Sequence, residues 1–364
     1  MIFDRVSDVV TDDIFLRLPG LVPDVRVLLK LEGLNPAGSI KLKTATALIE
    51  SMEQAGRLRP GTAVIESSSG NLGIALAMAC TVGGYPVTVV TDPNATRHSI
   101  RIMRSLGAEV VEVSEPDEHG GYLHTRIDYI RRRLAAQPDL VWLNQYANVA
   151  NIHVHRDRTA RSIHETLGEV DALFIGTGTT GTLMGCVEYF ARHSPRTRVV
   201  AVDSVGSITF GGAQGPRHIP GLGSSRRPEI YTGQGGFEKV LIPESETVAT
   251  CRAVAAQYGL LVGGSTGTVV AAVGRLAPTL PVGGTVVAIS PDLGDKYIDT
   301  VYSDSWVEQH FLDGAGTSGP EFADNGKGND NAELHGRPGG IGVLDTEQFP
   351  HERPAYRRGR LHRS

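Results

Sequence analysis

Strand-like and helix-like segments alternate along most of this chain of 364 residues. Short runs of Val, Ile and Leu are typical of buried strands, and each run is followed by a longer segment with apolar residues at helical spacing. Strands that are apolar along their whole length and are joined by helices form parallel sheets with helices on both faces. The alternation therefore predicts an α/β fold.

The predicted elements fall into two sets, one before and one after a polar segment at residues 144–168 with helical tendency. The predicted strands cover residues 25–32, 63–66, 86–90, 109–113, 140–143, 171–175, 198–203 and 284–289. The first predicted helix begins at residue 41. The others cover residues 72–81, 97–106, 123–136, 183–192, 246–258 and 268–276. Ser245 is the expected N-cap of the helix at residues 246–258. Residues 204–236 are rich in glycine and proline and are expected to form substrate-binding loops.

Two domains are expected, each a mostly parallel sheet flanked by helices, with a cleft between them. The smaller domain is predicted at residues 41–150, and the larger at residues 1–40 plus 151–311. Residues 312–364 are rich in Gly, Asn, Asp and Ser and end in an Arg- and His-rich segment. Such a composition predicts a disordered tail.

Composition narrows the class of protein. The net charge of -5 argues against general nucleic-acid binding. Cys80, Cys186 and Cys251 are far apart and match no metal-ligand spacing, which is typical of buried thiols in a reducing compartment. No apolar run reaches the ~18 residues of a membrane span, and no signal peptide is visible at the N-terminus. We therefore expect a cytoplasmic protein with no metal, no membrane and no nucleic acid among its partners.

The turn at residues 35–41 places Lys41 at the start of a predicted helix. No acidic residue adjoins Lys41 in the sequence, and the residues around it are small and apolar. Such surroundings disfavour the ammonium form and lower the pKa, as a Schiff-base lysine requires. Since most lysines are solvated surface groups, this interpretation depends on other motifs that lead to the same site.

A loop rich in glycine and threonine at residues 176–182 follows a predicted strand and precedes a predicted helix. Its glycines allow successive N–H groups to converge, and the helix N-terminus and the hydroxyls add donors, which favours a phosphate site. A plain strand–helix turn needs one glycine and no threonines. The loop also fits G-x-G-x-x-G, and Asp203 ends the next strand, so an NAD-dependent oxidoreductase is the rival interpretation.

Two further loops precede predicted helices. Residues 67–71 present three serines, a glycine and an asparagine. This cluster suits a carboxylate and leaves Asn71 free to bond a ring hydroxyl, whereas an N-cap serine explains one residue of the cluster. In residues 261–267, Ser265 either contacts a ring nitrogen or caps the helix, and the sequence favours neither.

Together these motifs resemble those of the fold-type II pyridoxal-phosphate enzymes, in the cysteine synthase-like branch that performs β-substitution. The resemblance covers about residues 20–305 and is specific, because separate motifs occur in the family's order. It implies a tryptophan synthase β-like fold, pyridoxal 5′-phosphate as cofactor, small amino acids as substrates and a homodimer.

The resemblance also implies a role for each motif. Lys41 matches the lysine that forms the Schiff base with the cofactor. The implied cofactor contacts are Asn71 at the 3′-oxygen, Ser265 at the pyridine nitrogen, and Gly178, Thr179, Thr180, Gly181 and Thr182 around the phosphate. The implied contacts of the substrate carboxylate are Ser68, Ser69, Gly70, Asn71, Leu72 and Gln145.

Two departures from ordinary cysteine synthase bear on the substrate. Leu42-Lys43 replaces the usual Asp-Arg after the lysine, and Leu72 stands where threonine is common. The chain is similar to the branch that joins O-phospho-L-serine to the amine of L-glutamate through an aminoacrylate intermediate. That branch makes N-(2-amino-2-carboxyethyl)-L-glutamate, a precursor of 2,3-diaminopropionate in siderophore or antibiotic biosynthesis.

A nucleophile with two carboxylates needs cations that a sulfide site does not need. The resemblance places Arg126 and Tyr146 where the amino-acid nucleophile is received, and residues 210–221 resemble the substrate loop of that branch. Arg126 is equally compatible with a surface position on its basic helix. Arg217 is expected to bind the leaving phosphate through its bidentate fork.

Three alternatives stay open on the sequence alone. One is a cysteine synthase that uses O-acetylserine or O-phosphoserine with sulfide. The others are the NAD-dependent oxidoreductase and a catalytically silent binding protein with this fold. A visible absorption band that is lost in Lys41→Ala separates the pyridoxal-phosphate enzymes from the last two.

Overall fold

The structure is a computed structural model that describes residues 2–117 and 121–312. The strands are β1 (Phe15–Arg17), β2 (Arg26–Leu31), β3 (Val64–Ser67), β4 (Val87–Thr91), β5 (Glu109–Glu112), β6 (Val141–Trp142), β7 (Ala172–Gly176), β8 (Arg198–Ser204), β9 (Phe237–Ile242) and β10 (Thr285–Ser290). The helices are α1 (Lys41–Gln54), α2 (Asn71–Gly83), α3 (Arg97–Ser105), α4 (Leu123–Ala136), α5 (Ala150–Val154), α6 (Arg161–Leu167), α7 (Gly181–His193), α8 (Glu244–Tyr258), α9 (Gly264–Leu276) and α10 (Asp304–Val307). Apart from Leu312, the predicted disordered tail lies outside the described residues.

Six strands form the larger sheet, in the order β1-β2-β10-β7-β8-β9. Neighbouring strands are parallel except β1, which runs antiparallel to β2. The register pairs Val287 of β10 with Leu28 on one side and with Leu173 on the other. Side chains of β7 and β10 are buried along nearly their whole length, as expected for strands covered by helices on both faces.

Four parallel strands form the second sheet, in the order β5-β4-β3-β6. Its own apolar cluster includes Leu48 of α1, Leu76 of α2 and Val89 of β4. The predicted α/β architecture with two mostly parallel sheets is therefore confirmed. All described residues belong to one compact unit, and the domain limits at residues 41–150 and 151–311 stay a prediction.

The helices are covered by the sheets and by one another. Helix α9 packs against α8 on one side and against β10 and β7 on the other, so its residues from Gly264 to Val273 are buried. A π-helical segment, His155–Ala160, joins α5 to α6 within the region predicted to be polar and helical. None of the helices described combines the length and the apolar character that crossing a membrane requires.

Several details differ from the sequence prediction. Strands β1 and β9 were not predicted, because a three-residue strand and an edge strand carrying Glu238 and Lys239 gain their order from pairing with β2 and β8. Ser245 is not an N-cap, because α8 already begins at Glu244 and no side chain caps its first turn. The Glu244 carboxylate instead accepts hydrogen bonds from the backbone N–H of His218 and of Ile219, at 2.7 and 2.9 Å.

The loops that matter for function follow parallel strands. Strand β3 ends at Ser67, β7 at Gly176 and β10 at Ser290. Ligands of α/β proteins bind outside the carboxyl ends of parallel strands. A ligand-binding site is therefore expected at the loops after β3, β7 and β10.

Candidate active site

A cavity at these loops brings together residues from distant parts of the sequence. Most of the predicted site residues line it: Lys41, Ser68, Ser69, Gly70, Asn71, Leu72, Arg126, Gln145, Tyr146, Gly178, Thr179 and Ser265. An outer cavity shares Ser69, Arg126 and Tyr146 with this inner cavity and is also lined by Arg217. Thr180, Gly181 and Thr182 do not line the inner cavity.

Lys41 begins helix α1 and is partly buried at the cavity wall. Burial lowers the pKa of its ammonium group to about 8, because a low-dielectric setting disfavours the charged form. In the part of the chain that the structure describes, no carboxylate forms an ion pair with Lys41 to oppose this effect. The lowered pKa expected from the sequence around this lysine is therefore confirmed.

The serine and asparagine loop divides its side chains between structure and cavity. Ser68 Oγ accepts hydrogen bonds from the backbone N–H of Gly70 and of Gly73, at 3.3 and 2.9 Å, and so supports the first turn of α2. Ser69 lines both cavities, and Asn71 lies at the first position of α2. The cluster thus combines a serine that supports the start of α2 with other side chains that line the cavity.

The loop after β7 wraps the N-terminus of α7. Thr180 has a left-handed backbone with φ 68°, and its Oγ1 is buried without a hydrogen-bond partner among the described residues. Thr179 Oγ1 accepts a hydrogen bond of 3.0 Å from Asn151 Nδ2. A Cβ added to Gly181 would overlap the Asn151 side chain, so glycine is required there. Backbone N–H groups and a buried hydroxyl at a helix N-terminus form an anion cradle.

Ser265 lies in the first turn of α9, and the structure excludes one of its two predicted roles, the helix cap. Gly263 is the N-cap residue, and no side chain caps the helix. Ser265 is 4% exposed and lines the inner cavity. Its hydroxyl is therefore available to a bound molecule and is not used as a cap.

Gln145 and Tyr146 follow β6 and complete one wall. The Gln145 side-chain amide donates to the backbone carbonyl of Ser67 at 2.9 Å, and its backbone N–H donates to Glu66 Oε2 at 3.2 Å. Burial raises the pKa of the Glu66 carboxyl to about 7, although hydrogen bonds from Ser67 and Trp142 oppose this shift. Burial also raises the pKa of the Tyr146 hydroxyl.

Arg126 is not a surface residue of α4. Its residue exposure is 8%, and Nε lies 3.2 Å from Asp92 Oδ2, which is also buried. Arg126 lines both cavities. The guanidinium is therefore a buried cation at the junction of the two cavities.

Arg217 lies farther out. It lines the outer cavity and not the inner one. Its Nη1 donates to the backbone carbonyl of Leu222 at 3.1 Å, and its Nη2 donates to Ser225 Oγ at 2.9 Å. Part of its donor capacity is thus used to shape the loop that carries it.

Several lining residues were not predicted from the sequence as site residues. They are Ile40, Asn94, Thr96, Ser99, Pro291, Lys296 and Tyr297, whereas Ser67, Pro220, Gly221 and Gly223 belong to segments that the sequence predicted to bind substrate. Pro291, Lys296 and Tyr297 follow a buried strand, β10, so the rule that ligands bind at the carboxyl ends of strands was a usable signal for them. Across residues 2–117 and 121–312, no group of three His, Cys, Asp or Glu side chains is placed to hold a metal ion.

Comparison with known proteins decides the family. The sequence profile of the family described as "Pyridoxal-phosphate dependent enzyme" matches residues 6–292. The chain belongs to the pyridoxal-phosphate-dependent enzyme family. A relative from Ralstonia nicotianae, named N-(2-amino-2-carboxyethyl)-L-glutamate synthase, is 41% identical over 285 residues, which cover 77% of this chain and 83% of the relative.

Solved structures of pyridoxal-phosphate enzymes have the same fold. The O-ureido-L-serine synthase structure is 28% identical, with a TM-score of 0.76, and the match covers 88% of this chain and 98% of that chain. The O-acetylserine dependent cystathionine beta-synthase from Helicobacter pylori is 30% identical, with a TM-score of 0.77, and the match covers 83% of this chain and 100% of that chain. The predicted fold type, cofactor and enzyme class are confirmed: this is a cysteine synthase-like, pyridoxal-phosphate-dependent transferase.

The residues at the inner cavity fit pyridoxal phosphate. Gly178 and Thr179 line this cavity, and with the adjoining residues 180–182, whose Thr180 Oγ1 has no hydrogen-bond partner among the described residues, they would hold the phosphate. Lys41 would bind the aldehyde carbon, and the hydroxyl of Ser265, which does not cap the helix, would contact the pyridine nitrogen. A serine at that nitrogen leaves the ring less electron-demanding than an acid would, which suits β-elimination over transamination.

The dinucleotide interpretation of residues 176–181 is wrong, because the chain belongs to the pyridoxal-phosphate family. Asp203, which that interpretation requires at a ribose, is fully buried and lines neither cavity. Its Oδ1 accepts a hydrogen bond of 2.8 Å from the backbone N–H of Ser204. Burial raises the pKa of the Asp203 carboxyl to about 6.

Proposed function

We propose that the enzyme joins O-phospho-L-serine to L-glutamate by β-replacement, giving N-(2-amino-2-carboxyethyl)-L-glutamate and phosphate. The observation that carries the proposal is the buried guanidinium of Arg126, which lines both cavities. A dicarboxylic amino acid presents carboxylates that bind such a cation, whereas sulfide presents none. The name of the Ralstonia nicotianae relative supports the same reaction.

Lys41 is the residue that moves the substrate α-proton. With a pKa lowered to about 8 by burial, a fraction of its Nζ groups is neutral near neutral pH and can accept a proton. Pyridoxal phosphate, when bound, supplies the electron sink that makes this proton acidic. Lys41 reaches the cavity from the start of α1, which is a rigid position for a base.

The α-carboxylate of the first substrate is bound at the N-terminus of α2. Ser69 and Gly70 line the cavity there, and the helix N-terminus attracts an anion. Gln145 lies beside this loop, held by Glu66 and by Ser67. These contacts orient the substrate Cβ–O bond, which breaks as phosphate leaves.

The second substrate enters through the outer cavity. Asp92 pairs with Arg126 Nε at 3.2 Å and so orients the guanidinium, whose other N–H groups can bind a glutamate carboxylate. Tyr146 lines the same passage. Arg217, in the outer cavity, is placed to attract the departing phosphate.

The alternative within the family is a cysteine synthase that uses O-acetylserine or O-phosphoserine with sulfide. A solved structure of a cysteine synthase from Entamoeba histolytica supports it: that structure is 30% identical, with a TM-score of 0.77, and the match covers 83% of this chain and 91% of that chain. The two functions differ in the nucleophile and therefore in what Arg126 does.

A competition between nucleophiles tests the proposal. The holoenzyme is mixed with O-phospho-L-serine and offered L-glutamate or sulfide in separate reactions, and the products are identified by mass spectrometry. We expect N-(2-amino-2-carboxyethyl)-L-glutamate to form with glutamate. Turnover with sulfide and none with glutamate would overturn the choice of nucleophile in favour of cysteine synthase.

We further propose that the product feeds 2,3-diaminopropionate synthesis for a siderophore or an antibiotic, and that the enzyme is a cytoplasmic homodimer. The family resemblance supports this context, and the name of the Ralstonia nicotianae relative supports only the product. Sedimentation analysis of the holoenzyme tests the homodimer: a monomeric mass would contradict it.

A further inference from the structure

Asn71 is held between a cation and an anion. Lys296 Nζ donates a hydrogen bond of 2.8 Å to Asn71 Oδ1, and Asn71 Nδ2 donates one of 2.7 Å to Asp292 Oδ2. Asp292 Oδ2 also accepts a hydrogen bond of 2.5 Å from the Tyr297 hydroxyl. These residues lie more than 200 positions from Asn71 in the sequence, by the separations of 225 and 221 for the two amide contacts.

The two flanking charges leave one orientation for the Asn71 amide. A lysine ammonium has donors and no acceptor, and a carboxylate has acceptors and no donor. A flipped amide would set its N–H2 group against the ammonium of Lys296 and its oxygen against the carboxylate of Asp292. The structure therefore commits the amide oxygen to Lys296 and makes Nδ2 the donor of the amide.

Lys296 also ties this amide to the lysine turn. Its Nζ donates to the backbone carbonyl of Gly38 at 3.0 Å and to that of Ala37 at 3.3 Å. Gly38 has φ +64°, and a Cβ there would come within 3.1 Å of Lys296 Nζ. All three ammonium hydrogens are thus directed at fixed oxygens, two of them in the turn that leads to Lys41.

We infer that Lys296, with Asp292 on the opposite side, is a positioning residue that sets Asn71 as a hydrogen-bond donor toward the 3′-oxygen of pyridoxal phosphate. The inference rests on the proposed placement of Asn71 beside the cofactor. A donor at that oxygen stabilises its anionic form, and an amide free to flip would offer an acceptor half of the time. Lys296 therefore acts on the cofactor through Asn71 and not by direct contact.

Cofactor binding to single and double variants tests this role without measuring turnover. Pyridoxal phosphate is titrated into cofactor-free wild type, Lys296→Met, Asn71→Ala and the double variant, and the visible absorption band reports its affinity and its ionisation. We expect each single variant to weaken binding by roughly tenfold. We expect the double variant to bind within about twofold of Asn71→Ala, since a residue that acts through Asn71 has no effect without it.

Lys239→Met is the matched control, because Lys239 is an exposed lysine on β9 and lines neither cavity. It should bind the cofactor as wild type does. Lys296→Arg, which keeps the charge and the donors, should recover most of the affinity lost in Lys296→Met. If Lys296→Met does not fold, Lys296→Gln replaces it, because a glutamine still donates to the turn carbonyls but tolerates either orientation of Asn71.

Different results would contradict the role of Lys296 and the placement of Asn71. Wild-type affinity in Lys296→Met, or in Lys296→Gln where it replaces it, overturns the role of Lys296 while leaving the proposed reaction intact, and so do losses that multiply in the double variant. Wild-type affinity in Asn71→Ala overturns the placement of Asn71 itself and the inference with it.

Discussion

Lys41 and Lys43 are separated by one residue but differ in whether a carboxylate pairs with the side chain. Lys43 is fully buried, but Nζ lies 2.7 Å from Glu32 Oε2 and also pairs with Asp12. Lys41 has no such partner among the described residues, and burial lowers its pKa to about 8. Desolvation without an opposite charge nearby favours the neutral amine. One lysine is therefore structural and the other is suited to chemistry.

Replacing the lysine at the cavity is the first prediction at this scale. Lys41→Ala should lose the visible band of the bound cofactor and lower kcat by at least about 10³-fold, because it removes the amine proposed both to bind the cofactor and to accept the α-proton. Absorption spectra and initial rates measure both effects. Lys239→Ala should change neither, and a Lys41→Ala protein that keeps the band would show that another lysine binds the cofactor.

The second prediction at this scale concerns the removal of the buried Arg126. Arg126→Ala should raise the KM for glutamate by about 10- to 100-fold, as expected for the loss of hydrogen bonds to a charged group. Phosphate release from O-phospho-L-serine alone should change much less. The matched control is Arg131→Ala on the same helix, whose side chain is 65% exposed and pairs with Asp128. Equal losses in both half-reactions would contradict the role of Arg126 as a receptor for the nucleophile.

At the scale of elements, a buried polar network connects the phosphate cradle to helices α1 and α5. Asn151 Nδ2 donates to Thr179 Oγ1 and to the backbone carbonyl of Gln145, each at 3.0 Å. Its Oδ1 accepts from Thr44 Oγ1 at 3.2 Å, and Thr44 contacts His155 Nε2 at 3.1 Å. Burial keeps His155 neutral by lowering its pKa well below the usual value, with Lys41 and Lys43 adding to the effect. The loop proposed to bind the cofactor phosphate is thus supported by hydrogen bonds from residues of α1 and α5.

A substitution that crowds this network should lower the stability of the protein. In Gly181→Ala the new methyl group would overlap Asn151, which cannot move without breaking its three hydrogen bonds. We expect a loss of about 1–3 kcal/mol in the free energy of unfolding, with weaker cofactor binding. Denaturant titration and cofactor titration measure the two effects.

Gly274→Ala is the control for that substitution. Gly274 lies on helix α9 with nothing within 4 Å of an added Cβ. An alanine there should be neutral or stabilising by up to about 1 kcal/mol. If Gly181→Ala behaves like Gly274→Ala, the cradle tolerates a Cβ and the proposed crowding is incorrect.

For the whole molecule, buried carboxyl groups link folding to pH. The Glu66 carboxyl has a pKa raised from 4.5 to about 7 by burial, so the folded protein binds more protons than the unfolded chain between these values. The contribution of Glu66 to stability is therefore fully present below about pH 4.5 and is lost as the pH rises through 7.

Comparison with Glu66→Gln isolates this effect. As the pH rises from about 5 to about 8, wild type should lose about 1–3 kcal/mol of stability relative to Glu66→Gln. Urea unfolding of the two cofactor-free proteins at both pH values measures the difference, and other titrating groups cancel because both proteins carry them. A difference that does not vary with pH would show that Glu66 titrates normally.

Much of the fold was predictable because it depends on local patterns. The strands and helices follow from apolar periodicity, and the cradle at residues 176–182 follows from glycines and threonines between a strand and a helix. The disagreements occur where order comes from pairing, as in β1 and β9, or where a side chain serves another segment, as Glu244 does for His218 and Ile219.

The sequence by itself determined the family, the cofactor and the order of motifs, because each motif is a short segment whose residue types indicate its chemistry. Tertiary structure decided which side chains are free to act. Burial and pairing turned Arg126 into a cavity residue, and placed Leu42 and Lys43 in the interior, where neither lines a cavity. The departure from Asp-Arg at these two positions therefore alters the core beside Lys41 and not the substrate contacts. Lys296 became a support for Asn71 through a contact that spans 225 positions, and no local pattern in a sequence encodes a contact of that length.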